Sequence, residues 1–109
     1  MPKPSGDTPV EPHQRAILGR IADEVADYRS ARQTLLQALG NTWNLFTAAE
    51  IHDTATVDTF MRLYYDLDAE DDLRQPGIPA GLASEARLEA AADALEAWAL
   101  EVRDGGAEG

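Results

Sequence analysis

The chain has 109 residues, no cysteine and a formal net charge of −11, from 20 acidic against 9 basic side chains. That length suits one domain with its own core, and the absence of cysteine excludes disulfides, thiolate metal sites and a cysteine nucleophile. Lys3 is the one lysine, and a balance this acidic argues against a nucleic-acid face. No apolar run approaches the roughly 20 residues of a membrane span. Met1–Pro12 lacks the apolar core of a secretory signal, so a cytoplasmic protein with neither nucleic acid nor membrane as partner is expected.

Residues 1–10 carry Pro2, Pro4 and Pro9 beside Ser5 and Gly6 and are expected to form a disordered arm. Helix A is predicted from Pro12 to Leu39. Thr8-Pro9-Val10-Glu11 or the Glu11-Pro12 pair supplies its start, and Gly40-Asn41 its stop. Along it Leu18, Ile21, Val25, Tyr28, Arg32, Leu35 and Leu39 recur at alternating spacings of three and four, the seam of a helix that packs along its length. A helix of that span is roughly 40 Å long. It outruns the elements available to cover it, which points to a second copy as partner. Arg32 is then either a register device within that pairing or an edge side chain that reaches water or a carboxylate such as Asp58.

Trp43-Asn44-Leu45 after Gly40 and the Tyr64–Asp68 spacing resemble the Trp-x-Gly turn and Tyr-x-x-x-Asp/Glu motif of secreted WxG-type helical hairpins. Leu45 replaces the glycine, helix C is extra and the Tyr motif lies mid-chain, and Trp43 reads more simply as a core residue plugging the turn. Thr47-Ala48-Ala49-Glu50 matches a capping box and predicts a short helix from about Ala48. A restart is expected at Asp53-Thr54. Helix B then covers Ala55–Leu67, where Val57, Phe60, Tyr64 and Leu67, widened by Met61 and Leu63, span roughly 200° of arc. An arc that broad makes helix B the expected central element. The run Asp66, Asp68, Glu70, Asp71 and Asp72 forms an acidic patch. Carboxylates are unfavourable at a helix C-terminus, so Asp68 is read as the cap of a separate turn over residues 69–74. Gln75–Pro79 is a connector. Helix C runs from Leu82 or Ser84 to Asp104 on the seam Leu88, Ala91, Leu95, Trp98 and Val102, and residues 105–109 form a frayed tail. The fold class is all-α: one domain over 11–104, a small bundle of three main helices plus short helical turns, with coiled-coil-like seams.

Catalytic sets are missing their parts. Ser5, Ser30 and Ser84 sit in no nucleophile elbow, and no glycine-rich phosphate loop is present. A calcium loop starting at Asp66 would need glycine at Asp71 and an acid at Gly77. His52 among acids reads as a surface or capping residue. Phe46–Val57 invites a helix-turn-helix reading. From Glu50 to Ala55 there is no room for both a first helix and a turn, and the would-be recognition helix carries Arg62 alone as a base. No cofactor and no metal site are assigned. The functional expectation is a non-enzymatic protein–protein interaction module (adaptor, regulator or assembly factor), self-associating as a homodimer through the helix A seam. Two alternatives come from other classes. One is a small all-α metal-dependent hydrolase using Asp23, Glu24, Asp27 and the acids Glu50 and Asp53, although the Glu-Glu-x-x-Glu motif of all-α nucleotide pyrophosphohydrolases is missing. The other is an acidic DNA mimic or inhibitor built on Asp66–Asp72.

Overall fold

The computed structural model describes residues 11–104; the arm over 1–10 and the tail over 105–109 lie outside the described residues. The chain is all-helical over this range. Four α-helices follow one another: α1 (Pro12–Arg29), α2 (Leu35–Ala49), α3 (Thr54–Asp72) and α4 (Glu85–Arg103), with a 3-10 turn at Ala80–Leu82. Each helix packs on two others, in the ring α1–α2–α3–α4–α1.

Helix A is therefore two helices, not one. α1 ends in a hydrogen-bonded reversal in which Ala31 N–H donates to the Tyr28 carbonyl (2.9 Å) and Arg32 N–H to the Asp27 carbonyl (2.8 Å). This is a Schellman motif, and Ala31 holds its left-handed position at φ 62° without being glycine. Three residues on, Thr34 accepts from Gln37 N–H while the Gln37 amide accepts from Thr34 N–H, a reciprocal capping box that starts α2. Gly40, expected to stop the helix, lies inside α2. The two helices run antiparallel: Gln14 Nε2, near the start of α1, donates to the Ala49 carbonyl at the end of α2 (3.0 Å).

Two further boundaries differ. No helix starts at Ala48; α2 ends at Ala49, and Glu50 takes a left-handed conformation as its C-cap. The acids after Leu67 do not form a separate turn, because α3 continues to Asp72. Two side chains offset the unfavourable dipole there: Arg74 Nη1 donates to the Glu70 carbonyl (2.6 Å) and Gln75 Nε2 to the Asp71 carbonyl (3.2 Å). Other starts match expectation. Asp53 caps α3, accepting from Thr56 N–H (3.0 Å), and Ser84 caps α4, accepting from Arg87 N–H (3.2 Å).

The core draws Leu18, Ile21, Ala22 and Val25 from α1, Leu35, Leu39 and Phe46 from α2, Phe60 and Leu67 from α3, and Leu88, Ala92, Leu95, Trp98 and Ala99 from α4. Helix α3, expected at the centre, contributes least. α1 is the most embraced, lying closely along both α2 and α4. No helix among the described residues is long and apolar enough to cross a membrane.

Candidate interaction surface

The heptad positions do not form an outer face. Leu18, Ile21, Val25, Leu35 and Leu39 are all buried within the chain's own core. Tyr28 is half-buried, and its phenol is pushed above its ordinary pKa by that burial, with Arg74 opposing and Glu85, Glu89 and Asp71 adding to it. Arg32 belongs to no seam. It sits exposed in the α1–α2 turn and pairs with Asp27 (3.1 Å), not Asp58. The surplus length that called for a second copy disappears once the helix folds back.

The acidic run divides by helix phase. Glu70 turns inward and is buried, held by Arg87 Nε (2.8 Å) and Arg74 Nη1 (3.3 Å). These arginines, Arg87 foremost, hold its carboxyl below the ordinary range. Asp68, Asp71 and Asp72 gather on the opposite side, with carboxylate oxygens within 4.8 Å of one another. Partial burial and the two neighbouring aspartates push Asp68 upward. Asp66 stands apart from both, beside Leu63 and Ala69.

The carboxylates of the hydrolase reading do not converge. Glu24 accepts from Gln33 Nε2 (2.7 Å) and Asn41 Nδ2 (2.9 Å), Asp27 holds Arg32, and Asp53 caps α3. The helix-turn-helix objection changes its ground, since α2 and α3 are joined by four residues and room for a turn exists. What remains is charge: Arg62 is the one base on α3, against Asp58, Asp66, Asp68, Glu70, Asp71 and Asp72.

What the sequence reading missed is the surface between α2 and α3. Helical phase places Leu36, Gly40, Trp43 and Thr47 on one stripe of α2, and Val57, Met61, Tyr64 and Asp68 on one stripe of α3. Aromatic bulk sets the spacing of these helices. Phe46 stacks on Phe60 with ring centroids 3.8 Å apart, Phe60 meets Trp98 at 5.7 Å, and Trp43 leans on Tyr64 at 5.2 Å. The α2–α3 contact is the sparsest in the ring, and a groove of ≈ 420 Å³ opens beside it, walled by Trp43, Phe46, Ile51, Val57 and Met61 and rimmed by Glu50 and Asp58. Trp43, expected to plug a turn, is 36% exposed, with Leu36 at 66% and Tyr65 at 53%. The signal was present in the sequence: Trp43 and Leu36 lie roughly 60–80° round α2 from the centre of the Leu35–Leu39–Phe46 face and broaden its apolar arc. Comparison with protein-family models, with curated proteins and with solved structures found no match.

Proposed function

We propose that this chain is a non-enzymatic protein–protein interaction module whose docking face is the α2–α3 groove. One observation carries the reading: of the five large apolar groups exposed among the described residues, Leu36, Trp43 and Tyr65 lie on these two helices, Trp43 in the wall of the groove, while Ile78 and Leu82 lie in the connector between α3 and α4. Contiguous apolar surface rimmed by polar groups is characteristic of protein-binding sites. Tryptophan and tyrosine are also the residue types that most often anchor such contacts.

A second copy is a weak candidate for the partner. Five of the seven heptad side chains face the chain's own core, and each copy brings a charge of −11. Light scattering is expected to give a monomer both at low salt and at roughly 0.5 M salt, where exposed charges are screened. The direct test is a photo-crosslinking amino acid placed in cells at position 36 or 65, with position 101 on exposed α4 as control. Discrete adducts from 36 and 65 and none from 101 support the docking face. Equal labelling from all three positions, or none from any, overturns it.

A further inference from the structure

We propose that the α2–α3 groove receives an amphipathic helix of about three turns that is apolar along one stripe and basic at both ends. The inference rests on the reading of this groove as a docking face and adds the chemistry of the occupant.

Three observations converge on that occupant. The first is shape. The groove between the two helices is walled by Trp43, Val57 and Met61, and the α2 stripe continues beyond it to exposed Leu36, two turns nearer the start of the helix. A trough between two helices accepts a third helix through side chains at i, i+3 or i+4 and i+7. The second is the placement of charge. Glu50 and Asp58 sit on the rim at one end of the groove. Further along α3, on the same stripe as Val57, Met61 and Tyr64, Asp68 begins the cluster with Asp71 and Asp72. No lysine or arginine lines the groove; Arg62, one turn along α3 from Asp58 and about 40° round from it, is the one base on that helix and lies outside the lining. An apolar stripe with acids at both ends complements an apolar helix with bases at both ends. The third is length. Asp58 and Asp68 are ten residues apart on one helix, roughly 15 Å, so basic groups separated by about ten helical residues reach both.

The test uses the full chain and fluorescein-labelled synthetic 14-residue helices, followed by fluorescence anisotropy at low salt. The first peptide carries leucines at i, i+4 and i+7 and an arginine pair at each end. A second keeps the leucines and replaces the arginines with glutamates. A third keeps the arginines and replaces the leucines with serines. Binding by the first alone is expected. Asp58→Asn and Asp68→Asn should each weaken it roughly threefold, and the pair roughly tenfold. Glu101→Gln, an exposed acid on α4, should leave it unchanged. Circular dichroism confirms that each variant is folded.

Equal binding by the first and third peptides, or equal weakening by Glu101→Gln, means that bulk charge alone attracts the probe and overturns the proposal. Equal binding by the first and second overturns the basic ends while leaving the docking face standing. Failure of all three overturns the helical occupant, and the crosslinking experiment then decides independently whether the face binds protein at all.

Discussion

The pair α1–α4 and the pair α2–α3 are built from different side chains, and the contrast explains why one is closed and the other open. Where α1 meets α4, small residues let the backbones approach: Gly19 lies against the Arg103 side chain, and Ala22, Ala92 and Ala99 are buried among Leu18, Ile21 and Leu95. The seam is sealed at one end by Arg29, which pairs with Glu89 (2.6 Å), Glu96 (2.8 Å) and Asp93 (3.4 Å) across the interface. Where α2 meets α3, the contact is made by rings. Phe46, Phe60, Trp43 and Tyr64 hold the helices apart by their own bulk, so part of the aromatic surface is left facing water. Close helix approach follows from small side chains at the crossing and wide spacing from large ones. The closed pair is the scaffold, and the open pair carries the candidate docking surface.

The largest expected difference between the regions is in the cost of truncation. Leu95 is fully buried, and Leu95→Ala should cost about 3 kcal/mol through lost transfer energy and the cavity left behind. Leu36→Ala, on the open face, should change stability by less than about 0.5 kcal/mol. Urea denaturation measures both. Comparable losses would mean that Leu36 is part of the core and that the distinction between the pairs is false.

Next comes the C-terminal half of α3, where Glu70 on the α4 side is stabilised and Asp68 on the opposite side is strained. Glu70 is held below its ordinary pKa by Arg87 and Arg74, so its contribution is present above the unfolded carboxylate pKa and is lost as pH falls through the folded one. Glu70→Gln should cost about 2 kcal/mol at pH 7, below the loss of about 3–5 for a wholly buried pair because Arg87 is half-exposed. That cost should vanish in acid. Asp68 has the opposite sign. Its pKa is raised by burial and by Asp72 and Asp71, so the folded state loses stability as pH rises through that raised value. Asp68→Asn should raise the melting temperature at pH 7 and leave it unchanged near pH 3. Parallel pH profiles for the two variants would show that their environments do not differ in this way.

The α1–α2 turn explains how much of this was legible in the sequence. The all-helical class, the Asp53 and Ser84 caps and the apolar members of the core could be read from periodicity and capping chemistry. The break at Ser30–Gln33 could not be read from the seam, because the three–four spacing from Tyr28 through Arg32 to Leu35 continues across it by coincidence. Glycine misled in both directions. Gly40 stands where the helix continues, and Ala31, which carries no such signal, stands at φ 62° where it reverses. The one local cue was Thr34-Leu-Leu-Gln37, a capping box opening a hydrophobic run. The groove was illegible for another reason: it depends on the spacing between two helices, which no single-helix pattern encodes. Ala31→Gly should relieve the left-handed strain and stabilise the fold by about 0.5–1 kcal/mol, as read by denaturant midpoint.

Gly40 offers the sharpest test of the contrast. It lies exposed in the middle of α2, and nothing within 4 Å would meet a Cβ placed there. By helix propensity alone Gly40→Ala should gain just under about 1 kcal/mol. The same position lies on the stripe between Leu36 and Trp43, where a side chain would stand between α2 and a helix laid along it. If that stripe only faces water, the substitution gains stability and costs nothing else. If it receives a partner, the new methyl group lifts the partner away from the backbone, and affinity for the arginine-ended peptide falls several-fold while the fold itself becomes more stable. We expect stability and binding to move in opposite directions, since glycine is the residue that permits close backbone approach. A gain in both would place the occupant elsewhere on the molecule.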